Sequence, residues 1–417
     1  MIVFPSVITD ISYMNILMLS STFPYPPTRG GTQVRTFNLL KYLSQRHSIT
    51  LVTQRDATVT DAEIAGLEDC VDRLVVFERP PEPGTSAGIL KKVQRFSSFL
   101  QQGTPPSVLN RYSTEMQEWI DNVVQAGKYD VITCEHSVNE IYVRSHFQKE
   151  LRTVVNIHSS LYGSCHNQLA TGISENTLRD KINLPLLRRY EQSYCSKFSA
   201  LVVTTEEDKI QLQEFNPNSE ITVIPNGVDL VSFPYRTADP GGHRLIFIGA
   251  MDNLANIDAV CFFSQEVLPE IQKHYPDTTF EIVGAHPTPE VLALKKQPGI
   301  TVTGRVPSMV EYLHKSTVCI VPMRTGFGIK NKTLEAMAAG VPIVASDRGL
   351  EGLAVDGAGT PLRALRANVP AEYITAIIQL FDHPQLRYKL SYSGRQLVET
   401  EFTWEIAGQH YEQVCCG

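Results

Sequence analysis

The sequence predicts an α/β protein made of two successive halves, each built on a parallel sheet. Three observations lead there. Strand and helix patterns alternate through almost the whole chain, the order that buries a parallel sheet between helices. The alternation breaks at "PNGVDLVSFPYRTADPGG" (225–242), a stretch rich in proline and glycine, and then starts afresh. And 417 residues are too many for one ordinary core, so two domains are expected.

The elements follow in order. "NILMLS" (15–20) reads as a buried strand, and "STFPYPPTRGG" (21–31) as a loop that ends on Gly30 and Gly31. "TQVRTFNLLKYLSQRH" (32–47) is a helix, because Val34, Phe37, Leu40 and Leu43 recur on one face. "SITLVTQ" returns as a strand and completes a βαβ unit whose first loop carries glycine. "RLVVF" (73–77), "YDVITCE" (129–135) and "RTVVNIH" (152–158) extend the sheet, the last ending on His158. "ENTLRDKINLPLLRRYEQSYCSKF" is a long helix with a bend expected at Pro185. "ALVVTT" (200–205) and "EITVIPNGVDL" (220–230) close the first half. The second opens on "HRLIFIGAM" (243–251), with Gly249 at the strand end, followed by the amphipathic helix "NIDAVCFFSQEVLPEIQKHYP". "TFEIVGA", "ITVTGR", "TVCIVP" and "PIVAS" are its further strands, and "TEFTWEIAGQHYEQV" is a final helix whose docking the sequence does not define. The expected boundaries are 1–14 for an extension, 15–225 and 226–400 for the halves, and 401–417 for the closing helix.

Composition narrows the function. A net charge of −7 argues against a general nucleic-acid binder. The eight cysteines form no CxxC pair and no Cys/His cluster of metal-binding spacing, which points to a reducing cytoplasm. No apolar run reaches the roughly 18 residues that span a bilayer. The opening "MIVFPSVITDISYM" lacks the basic region of a signal peptide and reads as an extension before the first strand. "ILKKVQRFSSFL" (89–100) carries Ile89, Val93, Phe96 and Leu100 as a stripe beside Lys91, Lys92 and Arg95. Both a surface helix and a peripheral membrane helix fit it.

The chemistry concentrates in "GFGIKNKTLEAMAAGVPIVAS" (326–346). Asn331 is a good N-cap, Lys332 to Ala339 favour helix, Gly340 suits a left-handed stop, and Pro342 bars continuation. Lys330, Lys332 and Glu335 therefore gather at a helix N-terminus between two strands. Free N–H groups and the positive end of the dipole suit an anion there, and two lysines oppose that dipole unless an anion compensates them. In open α/β sheets ligands bind beyond the carboxyl ends of the strands. Gly30-Gly31, His158, Gly249, Gly304-Arg305 and Arg324 to Lys332 all fall at such ends, so an interdomain cleft is expected.

Taken together, the Gly-Gly first loop, the strand-end His158, "IPNGVD" and "LEAMAAGVPIVAS" resemble the GT-B glycosyltransferases of family 4, the retaining kind. "YEQSYCSKFSALVVTTEED" and "GAMDNLANIDAVCFFSQEVLPEI" are similar to the bacterial branch that builds exopolysaccharides. The resemblance covers roughly residues 14–415. It implies two Rossmann-like domains facing across a cleft, with the acceptor in the first and a nucleotide-diphosphate sugar, UDP- or GDP-linked, in the second. It implies a catalytic role for His158 and donor contacts from Gly30, Gly31, Gly249, Arg305, Lys330, Lys332, Thr333, Leu334 and Glu335, with Glu335 on the ribose. The acceptor is a glycan, a lipid-linked glycan or a small molecule, and a lipid-linked one would bring the protein to the inner membrane face. The chain departs from the family pattern twice. Phe327 stands where a first glutamate is common, and Asn253 and Asn256 stand where a cation pair is usual. No DxD occurs, so metal-independent transfer and no cofactor are expected. A sugar-nucleotide-binding relative without catalysis stays open on account of Phe327. An NAD(P)-dependent oxidoreductase would need the GxGxxG that is missing.

Overall fold

The computed structural model describes residues 12–27, 30–81, 99, 103–172, 174, 176–326 and 328–417. Residues 1–11 of the expected extension, the 89–100 helix apart from Phe99, and Phe327 lie outside the described residues. The chain divides into two units: Met1–Cys165 with Asn176–Ile224 and Ala407–Gly417, and His166–Glu175 with Pro225–Ile406.

The first unit holds a seven-stranded sheet of β1 (Asn15–Ser20), β2 (Ser48–Arg55), β3 (Arg73–Glu78), β4 (Val131–Glu135), β5 (Arg152–Asn156), β6 (Ala200–Val203) and β7 (Ile221–Val223). The spatial order is β3-β2-β1-β4-β5-β6-β7, and every pairing is parallel. Leu17 lies opposite Thr50 on one side and Ile132 on the other. Strands covered on both faces must be apolar along their length, which is why "NILMLS" and "ALVV" read as runs rather than alternations. Leu17, Leu19, Ile132, Val155 and Leu201 form the core with Ile120 from the helix Thr114–Gln125 and Tyr194 from the helix Thr177–Cys195.

The second unit repeats the plan with β8 (Arg244–Ile248), β9 (Thr279–Val283), β10 (Ile300–Val302), β11 (Val318–Val321), β12 (Ile343–Ala345) and β13 (Leu365–Arg366), in the order β10-β9-β8-β11-β12-β13. In each sheet the chain runs outward in one direction from its first strand and then returns to run the other way. The reversals lie between β1 and β4 and between β8 and β11, and such reversals open the crevice where α/β sheets bind ligands.

Several elements depart from the expectations. The first helix is Gly31–Leu43, ending before His47, which is buried with its Nε2 2.9 Å from Glu412 Oε1. β5 stops at Asn156, so His158 lies two residues beyond it in a bend. The amphipathic helix after β8 passes from Leu254–Phe262 through a wide turn at Phe263–Val267 into Leu268–His274. Pro269, which brings no N–H to the ladder, sits at that junction. β13 is two residues long, too short to leave a period.

The closing helix is Trp404–Cys416, and its residues from Ala407 belong to the first unit. Its fit there is close. A Cβ on Gly408 would meet the Tyr42 ring at 2.2 Å, and the Tyr411 hydroxyl donates to Glu135 at 2.5 Å. Within the second unit, Val228 N–H donates to Phe402 O at 2.8 Å, and a Cβ on Gly227 would lie 2.3 Å from Trp404 N. Only glycine allows this approach of the "PNGVD" segment to the returning chain. Among the described residues no helix is long and apolar enough to cross a membrane.

Candidate functional site

In the second unit, β8 ends on Gly249, whose N–H bonds Val283 O at 3.0 Å and whose φ is 152°. A Cβ there would lie 2.9 Å from Asn256 Nδ2 and 3.2 Å from Lys332 Nζ. A Cβ on Gly284 would meet Gly249 O at 1.8 Å, so the ends of β8 and β9 touch backbone to backbone. Asn256 anchors its amide by donating to Ala250 O at 2.7 Å, and its Oδ1 accepts from the Lys332 ammonium. That ammonium sits 4.3 Å from the centroid of the Phe247 ring. Burial holds the Lys332 pKa down at about 7, helped by the charge of Lys330 and opposed by Glu335 and Cys319. Burial likewise raises Glu335 to about 7, opposed by Lys332.

The helix beside this group is Asn331–Ala338, one residue earlier than expected. Its N-cap is Lys330 in extended geometry, without a side-chain cap bond and without an acid in the first turn. Asn331, expected as the cap, instead accepts from Asn226 Nδ2 of "PNGVD" at 2.7 Å. The helix stops as its sequence indicates. Gly340 has φ 76°, its N–H donates to Met337 O at 3.0 Å, and Val341 N–H donates to Ala336 O at 2.9 Å, the paired bonds of a Schellman motif. The outcome is an uncapped helix N-terminus next to a partly buried ammonium and a carboxylate, at the reversal between β8 and β11.

The other expected residues of this unit lie differently. Lys330 is 9% exposed and already matched, its ammonium bonding Glu351 Oε2 at 2.9 Å and the Gly328 carbonyl. Arg348 holds the other oxygen of Glu351 at 2.7 Å. Thr333 Oγ1 donates to Gly349 O at 2.8 Å and Leu334 is in the core, so both turn their side chains inward. Arg324 pairs with Asp258 and covers the Phe262 ring. Arg305 is exposed and follows the edge strand β10, two strands away from β8.

In the first unit, Gly30 is the extended N-cap of Gly31–Leu43, with φ 177° and no side-chain cap bond, and no acid occupies the first turn of that helix. This is the loop after β1, beside the reversal. His158 follows β5, its side chain 9% exposed. Ile157 N–H bonds Val202 O at 2.7 Å before it, and Ser160 Oγ after it accepts from Gly163 N–H at 2.8 Å at the start of the helix Leu161–Ala170. The ring packs on His136 with centroids 5.1 Å apart, and neither ring nitrogen has a hydrogen-bond partner among the described residues. Burial, His136 and Arg35 hold His158 well below its ordinary pKa, and burial and Arg111 bring His136 to about 4, so both rings are neutral near pH 7.

Beneath His158 lies a buried polar chain that the sequence reading missed. Tyr411 donates to Glu135 Oε1, Asn156 Nδ2 donates to Glu135 Oε2 at 2.9 Å, and Arg35 Nε donates to Asn156 Oδ1 at 3.0 Å. A charged residue closing an apolar strand, as in "VITCE", was the available signal. Among the described residues no group of three or more His, Cys, Asp or Glu side chains is arranged to hold a metal.

Two family profiles match the chain. "Glycosyltransferase Family 4" covers residues 29–232, and "Glycosyl transferases group 1" covers residues 242–383. A glycogen synthase of Mycobacterium tuberculosis is 27% identical over 212 residues, 48% of this chain and 49% of that protein. A GDP-mannose-dependent monoacylated alpha-(1-6)-phosphatidylinositol monomannoside mannosyltransferase of Corynebacterium glutamicum is 27% identical over 220 residues, 46% of this chain and 55% of that protein. The chain thus spans about half the length of the curated relatives it matches. Among solved structures, HepE of Anabaena in complex with UDP and glucose superposes with a TM-score of 0.61 at 14% identity, over 96% of this chain and 99% of that one. That likeness shows the GT-B fold.

Proposed function

The chain belongs to the group 1 glycosyltransferases of the GT-B fold, and from that premise we propose that it moves a sugar from a nucleotide-diphosphate sugar to a hydroxyl acceptor, with retention and without a metal ion. The observation that carries this reading is the Lys332 group. An ammonium held beside Gly249 by Asn256 adjoins a helix start with no cap of its own. Donors fixed in advance around a developing phosphate charge stabilise a leaving group, and they act most strongly where water is displaced.

In this proposal Lys332 and the first N–H groups of Asn331–Ala338 receive the diphosphate, including those of Thr333 and Leu334. Glu335 accepts from the ribose hydroxyls. Gly249 leaves room for the phosphates, and Gly30 and Gly31 leave room for the sugar. Lys330 shapes the loop through Glu351 rather than touching phosphate, and Arg305 borders the nucleotide more loosely. His158, neutral and with no hydrogen-bond partner among the described residues, holds sugar hydroxyls instead of acting as a strong base. The departing phosphate would then take the acceptor proton on the face it leaves, which yields retention. Metal independence is supported by the absence of DxD from the sequence. The solved HepE holds UDP, while the Corynebacterium relative is named for GDP-mannose, so both nucleotides belong in the test. The acceptor proposed is a glycan, a lipid-linked glycan or a small molecule. The site of action proposed is the cytoplasm, at the inner membrane face for a lipid-linked acceptor.

A thermal-shift screen of UDP-, GDP- and ADP-sugars tests the donor, because a ligand at 100 times its Kd adds about 2.7 kcal/mol. Release of the nucleoside diphosphate then tests catalysis. Binding without release supports the second reading, a non-catalytic relative, which Phe327 favours. No shift with any of the sugars contradicts both.

A further inference from the structure

We propose that Glu135 and Tyr411 are positioning residues for His158: the terminal helix, through the Tyr411 hydroxyl, holds the Glu135 carboxylate against the imidazole and thereby selects its tautomer. This rests on the reading of His158 as the sugar-facing residue.

Four side chains carry the argument, and all are buried: Arg35, Glu135, Asn156 and Tyr411. They come from the first helix, the ends of β4 and β5, and the terminal helix. Replacing a buried ion pair with apolar residues is often neutral or stabilising, so such a pair is poor value as a device for stability alone. Here two buried charged residues, Arg35 and Glu135, are bridged by Asn156 at the carboxyl edge of a sheet that is otherwise rich in valine, isoleucine and leucine, beside the reversal between β1 and β4. Their purpose is better sought in what they face.

Glu135 faces His158. The Oε2 atom lies 4.0 Å from His158 Nε2, too far for a hydrogen bond and close enough for its charge to act. A neutral imidazole beside a carboxylate places its N–H toward the negative charge and its lone pair away from it. Nε2 therefore carries the proton, and Nδ1 is left to accept from a ligand hydroxyl. The carboxylate keeps its place because Tyr411 holds Oε1 and Asn156 holds Oε2. Burial raises the Glu135 pKa, and those same donors, with Arg35, oppose that rise. Removing the Tyr411 hydroxyl weakens this support at one atom and leaves the aromatic packing in place.

The test uses the full chain with Tyr411→Phe, Glu135→Gln and His158→Ala. In ¹⁵N-histidine NMR, with His158 assigned by its loss in His158→Ala, wild type is expected to show Nε2 protonated. Tyr411→Phe and Glu135→Gln are expected to move that signal toward a mixture of tautomers. With donor and acceptor in hand, Tyr411→Phe is expected to lower kcat about tenfold, the scale of one hydrogen bond to a charged group, with donor KM little changed. Added to His158→Ala, Tyr411→Phe is expected to cost nothing more, because both act through one group. Wild-type His158 signals in both variants overturn the proposal, as does a kcat loss that multiplies with that of His158→Ala. If His158→Ala turns over like wild type, the sugar-facing role of His158 fails, and the NMR result still decides whether Tyr411 and Glu135 select its tautomer.

Discussion

Lys332 shows what a single residue contributes and what it costs. Its pKa is held at about 7 and that of Glu335 is raised to about 7, both first by burial, so neither group gains a stable charge from folding. Glu335 binds its proton more tightly in the folded state, so its contribution to stability falls as pH rises from about 4.5 to about 7. Lys332 binds its proton less tightly in the folded state, so its contribution recovers as pH rises from about 7 toward 10.5. In the ligand-free protein, Glu335→Gln is therefore expected to gain melting temperature relative to wild type as pH goes from about 5 to 7. Parallel pH profiles for the two proteins would count against the burial of this carboxylate. The same variant is expected to bind donor about tenfold more weakly, since a carboxylate bond to hydroxyls is worth about 1.5–3 kcal/mol. Unchanged affinity by calorimetry would remove Glu335 from the ribose. His158→Ala is expected to lower kcat by about 10²-fold while nucleotide affinity holds, on the scale of losing one preorganised polar contact in the transition state.

At the level of elements, the candidate site proposed in the second unit is legible in the sequence because its residues are nearly contiguous. Lys332, Glu335, Gly340 and Pro342 signal a helix start, a charge cluster and a stop within a single stretch. The one-residue shift of the cap came from tertiary structure, because Asn331 is drawn to Asn226. Lys330 and Lys332 look equivalent in sequence, and only the fold parts them, through Glu351 and Asn256. The first-unit network was not readable, since Tyr411 and Glu135 are 276 residues apart and nothing local joins them. β13 was missed for its length and the wide turn before Pro269 because periodicity survives it. The close contact of Gly249 with Gly284 makes an element-scale prediction. Gly284→Ala would set a Cβ 1.8 Å from Gly249 O and is expected to destabilise the protein by more than 1 kcal/mol, the cost typical of overpacking. Gly249→Ala would instead press on Asn256 and Lys332 and is expected to weaken nucleotide binding more than stability. A Gly249→Ala protein with wild-type affinity would show that the strand end is not part of the phosphate site.

For the whole molecule, two sheets of the same strand order offer two equivalent reversals, and the side chains beside them differ. The second unit has an ammonium beside an uncapped helix, proposed to receive phosphate. The first has two neutral imidazoles over the buried chain of Arg35, Asn156, Glu135 and Tyr411, proposed to hold hydroxyls. The net charge of −7 gives a diphosphate no general attraction, so affinity has to come from the local group. That is the central claim, and calorimetric titration of UDP and of GDP into wild type and Lys332→Met, in EDTA, tests it most directly. The account predicts that one of the two nucleotides binds wild type without metal and binds the variant at least about tenfold more weakly, the expected cost of one charge-assisted contact. Equal binding to both proteins, or binding to wild type only when Mg²⁺ is restored, would contradict it.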